Sequence, residues 1–184
     1  KGVVWAQDLL PTDLLLAIVE QRVDRQKNYK GERGQIQFLI GLRYMIGKDL
    51  DRDQVRCLSE LSYTQVKDVG RDPYMAAHWL QQAVAAGYKG SLFCLGELAE
   101  KEEGGLTFQQ AIDFYTQAVE KDKDPHALKR LGIIYQEGRK GVPQNEEQSL
   151  CYFREAYKSK DLDLSIDTDF LYRFGCLLEA HSTN

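Results

Sequence analysis

Proline is scarce in this sequence, with only four among 184 residues. No run alternates apolar and polar residues over the length of a strand, so the pattern of a half-buried β-sheet is missing. Long segments instead place an apolar residue every three to four positions, which is the spacing of one face of an α-helix. The sequence therefore predicts a protein that is almost entirely α-helical.

Long apolar runs and an excess of positive charge are also missing. The longest apolar run covers residues 14–19 and is too short to span a bilayer. The formal net charge is -4 at pH 7, whereas a nucleic-acid-binding domain usually presents a strongly basic face. Hydrophobic residues make up 43% of the chain, which is enough for a folded core. We therefore expect a folded protein with no membrane-spanning segment in this chain and no nucleic-acid partner.

Paired cysteine motifs are absent as well. No two cysteines form a CxxC pair, and none groups with histidine at the spacing of zinc ligands. Since most of them lie among apolar residues, we expect buried free thiols and no disulfide framework. Free thiols favour a reducing, cytoplasmic compartment, while an exported or periplasmic location stays open if a signal upstream of Lys1 has been removed. The four cysteines are Cys57, Cys94, Cys151 and Cys176.

Motifs of catalysis are missing too. The sequence has no glycine-rich phosphate loop and no nucleophile elbow. Its acidic pairs, Glu102–Glu103 and Glu146–Glu147, fall at the end and the start of predicted helices, where solvated carboxylates are ordinary. We therefore predict that the protein is not an enzyme and has no catalytic residue and no cofactor.

One acidic stretch, GKDLDRDQVRCLSE at residues 47–60, resembles a calcium-binding loop. Its acidic residues fall at positions 1, 3, 5 and 12 of an EF-hand loop. However, Gln54 stands where that loop needs glycine for a sharp turn, and no second loop exists to pair with it. We therefore predict no metal site. In the alternative interpretation this stretch is a connector, and Asp53 caps a helix over about residues 54–67.

What the sequence does contain is an internal repeat. Four segments share an apolar residue followed by glycine, with an apolar or aromatic residue three positions after the glycine. Glycine inside a helix costs about 0.5–1 kcal/mol relative to alanine. Four glycines at one place in the pattern therefore indicate that a neighbouring helix approaches closely there. They are Gly41, Gly96, Gly132 and Gly175.

A second helical pattern alternates with the first. Each copy has a small residue, an aromatic residue three positions later and an alanine four positions after that. These residues share one helix face, and we expect the aromatic residue to fill the gap between crossing helices. The aromatic residues, Trp79, Phe114 and Tyr152, are 35 and 38 residues apart. A period of this length with two helices per unit predicts stacked helical hairpins.

The best copy, from Ala127 to Asp161, resembles a Sel-like repeat, a relative of the tetratricopeptide repeat. The resemblance extends over about residues 33–178, although the second unit has Ala99 in place of a tyrosine. It implies a right-handed α-solenoid of about three to four stacked antiparallel helical hairpins. The matching positions of the best copy are Ala127, Leu131, Gly132, Tyr135, Gly138, Gly141, Val142, Asn145, Ser149, Tyr152, Phe153 and Ala156.

This resemblance sets the expected domain organisation. We predict an N-terminal helical cap over residues 1–32, with a helix from Asp13 to about Arg25, followed by the repeat solenoid over 33–184. The first repeat is longer than the others, so we expect an inserted helix within residues 48–72. The predicted repeats are 33–88, 89–123, 124–161 and a partial fourth at 162–184. The predicted N-caps of the second helices are Asp72, Thr107 and Asn145.

A partner is expected to bind on the concave side, which the first helix of each hairpin lines. In a tetratricopeptide-like geometry, the side chains at the positions three before, one after and four after each helix glycine would point into this groove. Glu100 and Cys176 are at such positions, and Lys129 and Tyr172 are expected to be the more exposed ones. The predicted partner-binding residues are Phe38, Leu42, Met45, Phe93, Glu97, Lys129, Ile133, Gln136, Tyr172 and Glu179.

This apolar and aromatic lining is typical of an interface. Alternatively, some of these residues pack against the N-terminal helix or the next hairpin. Two functions follow from a binding surface. The protein is either a scaffold or adaptor for a partner protein or peptide, or a dedicated inhibitor or immunity-type protein that blocks one enzyme or toxin. An adaptor would tolerate several partners at micromolar strength, whereas an inhibitor would bind one partner much more tightly. The sequence leaves both open.

Overall fold

The computed structural model describes residues 30–47, 70–159 and 167–182. Within these ranges the chain forms seven α-helices and no strand, which confirms the all-α prediction. None of the described helices is both long and apolar enough to cross a membrane. The predicted helix at 13–25 and most of the predicted insertion at 48–72 lie outside the described residues. The helices are α1 (Lys30–Ile46), α2 (Pro73–Ala85), α3 (Ser91–Glu100), α4 (Phe108–Asp122), α5 (Pro125–Glu137), α6 (Glu146–Lys158) and α7 (Thr168–Ser182).

The chain divides into two compact units. Among the described residues, the first unit comprises 30–47, 70–94 and 103–105, and the second comprises 95–102, 106–159 and 167–182. The first unit thus contains α1, α2 and the start of α3. The second contains the remainder of α3 and the helices from α4 to α7.

Side-chain caps fix where α2, α4, α5 and α6 begin. Asp72 accepts hydrogen bonds from the backbone N–H groups of Tyr74 and Met75 at 3.0 and 3.1 Å, which starts α2. Thr107 and Gln110 form a capping box at the start of α4. Asn145 caps α6 by accepting a hydrogen bond from the backbone N–H of Gln148 at 2.9 Å, so all three predicted caps are confirmed. Asp124, which the sequence analysis did not single out, caps α5.

The helix glycines mark close helix contacts, as predicted, in three of the four cases. In the first unit, a Cβ added at Gly41 would lie 2.8 Å from Cγ of Leu80 on α2. In the second unit, a Cβ at Gly96 would overlap the ring of Tyr115 on α4. These pairs show that only glycine lets the two helices of each pair come so close.

Gly132 has the same kind of neighbour, and it corrects the prediction of which residue fills the gap. A Cβ at Gly132 would overlap the ring of Phe153, not that of Tyr152. Tyr152 instead stacks on Tyr135, with 5.7 Å between the ring centroids. The gap-filling residue is one position later than predicted in every pair. The predicted set was Trp79, Phe114 and Tyr152, and the observed set is Leu80, Tyr115 and Phe153.

Helix spacing explains why the sequence did not separate these two sets. Each second helix buries a stripe of two small residues seven positions apart. At about 100° per residue, the side chains three and four positions after the first small residue lie about equally far to either side of that stripe. The spacing alone therefore favours neither, and the tertiary packing selects the fourth.

The last helix, α7, is held to the second unit by one apolar face. Phe170, Phe174 and Leu177 of this helix join a buried cluster that includes Phe153 of α6 and Leu128 of α5. The Phe153 and Phe170 rings meet edge to face, with centroids 5.4 Å apart. Aromatic pairs of this geometry add to the stability that burial alone supplies.

The cysteines differ in part from the prediction of buried free thiols. Cys94 is a buried thiol, as predicted. Cys151 and Cys176 are free thiols, but both are exposed, so that part of the prediction was wrong. Both lie on the exposed faces of α6 and α7, although their neighbours in the sequence are largely apolar. Cys57 lies outside the described residues.

Candidate protein-binding surface

Four of the predicted binding residues belong to the first unit, and all four are half-buried. They lie on α1 and at the start of α3. Phe38 contacts the ring of Tyr88 in the same unit, with 4.8 Å between the ring centroids. Part of the predicted lining therefore packs within its own unit. The four residues are Phe38, Leu42, Met45 and Phe93.

In the second unit, Lys129 is tied to Asp167. Its ammonium group forms an ion pair with the Asp167 carboxylate, and each side chain is only about one-fifth exposed, at 22% and 21%. Asp167 also accepts a hydrogen bond from the backbone N–H of Phe170 at 3.2 Å, at the start of α7. Burial alone would raise the pKa of Asp167, but the hydrogen bonds from Lys129 and Phe170 outweigh it and lower that pKa. Lys129 is therefore less exposed than expected.

The other predicted residues of the second unit differ widely in exposure. Tyr172 is 73% exposed on α7, in agreement with the expectation for that residue, and Glu179 is exposed on the same helix. Ile133 is only 6% exposed and belongs to the buried cluster around Phe153. Gln136 is half-buried and accepts a hydrogen bond from Arg173 at 3.2 Å.

A buried carboxylate, Glu100, links three elements of the second unit. Its side chain is 7% exposed and accepts hydrogen bonds from Arg130 Nε at 3.0 Å, Arg139 Nη1 at 3.1 Å and the Tyr115 hydroxyl at 3.0 Å. Burial lowers the pKa of Arg130, but the bond and charge of Glu100 outweigh this and raise it. Burial and the Glu100 charge together raise the pKa of Tyr115. Removing the carboxylate would leave these donors without their shared acceptor.

A second arginine repeats part of this arrangement one hairpin later. Arg173 of α7 donates to Gln136 at 3.2 Å and to Glu137 at 2.9 Å, both on α5. Arg130 and Arg173 each lie two residues before a helix glycine, while Glu100 and Gln136 each lie four residues after one. The offset between consecutive hairpins thus places an arginine on the first helix of one hairpin beside a polar acceptor on the first helix of the preceding hairpin.

These arginine contacts were not predicted from the sequence. The signal that could have found them is the shared position of Arg130 and Arg173 within the glycine pattern. This shared position predicts a contact only when the offset between the first helices of consecutive hairpins is known, because each contact joins residues at least 30 positions apart.

A cleft of about 200 Å³ lies beside this network in the second unit. Burial raises the pKa of Glu97 in its wall, and the nearby Lys101 charge partly opposes that shift. The cleft therefore offers charged groups of both signs to a polar partner, and Glu97 is the predicted binding residue that lies in it. Its lining residues are Glu97, Glu100, Lys101, Arg130 and Arg139.

The described ranges contain no group of three or more histidine, cysteine, aspartate or glutamate side chains arranged to hold a metal ion. The acidic stretch that resembles a calcium loop lies almost wholly outside these ranges. The groups that converge in the second unit are instead engaged in ion pairs and hydrogen bonds with one another. These contacts hold the helices of the second unit together.

The pattern of the Sel1 repeat matches three segments of the chain, residues 36–59, 60–88 and 125–161. The chain therefore contains Sel1 repeats. The third match covers α5 and α6, the pair of helices that Gly132 and Phe153 bring together. Sel1 repeats are in general modules of protein–protein interaction, and their fold is typically a non-catalytic scaffold.

Two solved structures share the fold of this Sel1-repeat protein. One is a protective antigen present in uropathogenic Escherichia coli strains and displaying an SLR fold, with 24% identity and a TM-score of 0.53 over 77% of this chain. The other is a Sel1 repeat protein from Oxalobacter formigenes, with 22% identity and a TM-score of 0.50 over 80% of this chain. The matches cover 25% and 52% of those longer chains. No curated protein matches the sequence.

Proposed function

We propose that this Sel1-repeat protein is a scaffold or adaptor that binds another protein or peptide through its first helices. The observation that carries the proposal is the exposure of Tyr172, an aromatic side chain that is 73% accessible on α7. Tyrosine is among the residues that contribute most to binding at protein interfaces, because it combines a large apolar ring with a hydroxyl group. A partner that covers this ring would remove it from water.

The charged groups of the second unit supply the second element of recognition. Glu97 and the guanidinium groups of Arg130 and Arg139 line one cleft. Charges at the edge of an interface steer a partner and select its orientation more than they increase affinity. A partner that combines an apolar anchor with charged flanks would therefore suit this surface.

The proposal is tested by capture of partners from an extract of the source cells, followed by mass spectrometry. The immobilised chain is compared with the double variant Lys129→Glu and Tyr172→Ala, which reverses a charge and removes the exposed ring. We expect the double variant to lose the partner while keeping the helical circular-dichroism signal. Retention of the partner at an undiminished level would contradict the proposal.

A matched control comes from exposed residues of the second helices. Arg154→Glu with Tyr74→Ala makes the same two kinds of change, and Tyr74 of α2 is 71% exposed. This control should capture the partner as the unchanged chain does. The single variant Lys129→Met removes the ion pair with Asp167 without introducing a negative charge. It therefore shows how much of the loss of capture comes from the ion pair alone.

The same experiment distinguishes an adaptor from a dedicated inhibitor. An adaptor would capture several proteins at micromolar strength. An inhibitor would capture one enzyme or toxin, bind it much more tightly and suppress its activity at equal molar amounts.

A further inference from the structure

The face of α7 that carries Gly175 differs from the corresponding faces of α1, α3 and α5. A Cβ added at Gly41, Gly96 or Gly132 would meet a bulky side chain of the neighbouring second helix. A Cβ added at Gly175 would meet no atom of the described chain within 4 Å. The same position of the repeat is therefore filled three times and open once among the described residues.

The residues on either side of Gly175 show the same contrast. Leu171, four positions before the glycine, is 39% exposed, whereas its equivalents Leu92 and Leu128 are 5% and 3% exposed. Leu178, three positions after the glycine, is 38% exposed. Its equivalent in α5, Tyr135, stacks on a tyrosine of α6. We call Leu171, Gly175 and Leu178 the Gly175 stripe.

This openness is confined to one side of α7. The adjacent face of the helix, formed by Phe170, Phe174 and Leu177, is buried in the cluster with α5 and α6. These residues correspond to Ala127, Leu131 and Ile134 of α5, which are buried as well. One face of α7 is therefore buried in the same way as the equivalent face of α5. We expect the other apolar face of α7 to be covered by the same kind of helix that covers the equivalent face of α5.

The second helices of the chain define the chemistry of that occupant. Each buries a small residue, a bulky residue four positions later and a small residue three positions after that. All nine of these side chains are at most 1% exposed, and the bulky one lies against the glycine of the first helix. The three sets are Ala76, Leu80 and Ala83; Ala111, Tyr115 and Ala118; and Ser149, Phe153 and Ala156.

The first small position also permits a polar contact. Ser149 Oγ donates a hydrogen bond of 2.7 Å to the carbonyl oxygen of Gly132. A close approach of two helices thus brings a serine hydroxyl within reach of the backbone at the glycine.

We propose that the Gly175 stripe docks an amphipathic helix of a partner protein with a small-x3-bulky-x2-small pattern. The bulky residue is leucine, tyrosine or phenylalanine and lies over Gly175, between Leu171 and Leu178. The helix thereby continues the packing that links the first and second helices of this chain. This stripe adjoins the surface proposed above, since Tyr172 lies about 60° round the helix axis from Gly175, on the side away from Leu171 and Leu178.

The test uses a synthetic peptide with the sequence of residues 145–158, in which Cys151 is replaced by serine. It is labelled and titrated with the full chain, and binding is followed by fluorescence anisotropy. We expect saturable binding, and binding at least about tenfold weaker for a peptide with Phe153→Ala. Absence of binding of the first peptide overturns the proposal.

Variants of the full chain locate the peptide. Gly175→Leu fills the open space and should abolish binding, and Leu178→Asp should weaken it by adding a charge to the stripe. Tyr74→Ala removes a tyrosine ring of α2 that is 71% exposed; it is the matched control and should bind the peptide as the unchanged chain does. If the peptide instead replaced α6 on α5, Gly175→Leu would leave binding unchanged, and this result overturns the proposal.

Sedimentation velocity of the chain alone tests the other occupant, a second copy. Self-association that Gly175→Leu abolishes would show that the stripe joins two copies, and it overturns the proposal of a partner helix. A monomeric chain supports it. The two proposals can fail separately, because Glu97→Lys in the cleft should weaken capture of the partner and leave peptide binding intact.

Discussion

Gly132 and Gly175 occupy the same position in the helix pattern but have different surroundings. Gly132 lies against the Phe153 ring, so an added methyl group would have to displace that ring from the core. Gly175 faces open space among the described residues and has an ordinary helical backbone. The first glycine is therefore needed for packing in this chain, whereas the second weakens its helix and leaves room for a ligand.

The matched substitutions Gly132→Ala and Gly175→Ala should have opposite effects on stability. We expect Gly132→Ala to lower the free energy of unfolding by about 1–3 kcal/mol because it overpacks the core. Gly175→Ala should raise it by about 0.5–1 kcal/mol because alanine favours the helix. Urea unfolding followed by circular dichroism measures both. Effects of the same sign would refute this interpretation of the two glycines.

Asp167 makes stability depend on pH through its bond to Lys129. Its pKa is lowered from the ordinary value of 3.8, so the folded state favours the carboxylate. This contribution is fully present above the ordinary value and is lost as the pH falls through the lowered folded-state value.

The variant Asp167→Asn should therefore be less stable than the unchanged chain at pH 7. The difference in the free energy of unfolding should shrink as the pH falls below 3.8, the ordinary pKa. Chemical unfolding at a series of pH values tests this expectation. A difference that stays constant down to pH 2 would show that the ionised carboxylate contributes nothing.

The polar network of the second unit connects several helices, because Glu100 of α3 accepts hydrogen bonds from donors of α4, α5 and the segment after α5. Arg130 and Arg139 both reach its carboxylate but differ in exposure. The Arg130 side chain is 33% exposed, whereas that of Arg139 is 44% exposed and also pairs with Glu137. The more buried contact should contribute more, since solvent screens an exposed ion pair.

Arg130→Met should lower the free energy of unfolding by roughly 1–3 kcal/mol, because it leaves a buried carboxylate with fewer donors. Arg139→Met serves as the matched control and should cost about 0–1 kcal/mol. A double-mutant cycle with Glu100→Gln isolates the coupling of each arginine to the carboxylate. A larger coupling for Arg139 than for Arg130 would contradict the network described here.

Much of the helical architecture could be predicted from sequence, because local chemistry determines it. The caps at Asp72, Thr107 and Asn145 follow from side chains that bond to the backbone a few residues away. The close helix contacts at Gly41, Gly96 and Gly132 follow from the cost of glycine in a helix. What the sequence did not supply depends on tertiary packing. This includes the choice of Phe153 over Tyr152 and the contacts of Arg130 and Arg173 with the preceding first helix.

For the molecule as a whole, the repeat period predicted the fold class and the family, because a single hairpin cannot bury its own apolar face. The binding surface was less predictable. Exposure depends on the neighbouring hairpin, and two residues with similar predicted positions, Ile133 and Tyr172, are buried and exposed respectively. The binding role of this surface is our proposal, and its partner is to be named by capture.

The most direct measurement is calorimetric titration of the captured and purified partner into three forms of the full chain. They are the unchanged chain, the variant Lys129→Glu with Tyr172→Ala, and the control Arg154→Glu with Tyr74→Ala. Our account predicts equal dissociation constants for the unchanged chain and the control, and a loss of affinity of at least about tenfold for the first variant. An unchanged dissociation constant for that variant would contradict the claim that the first helices form the binding surface.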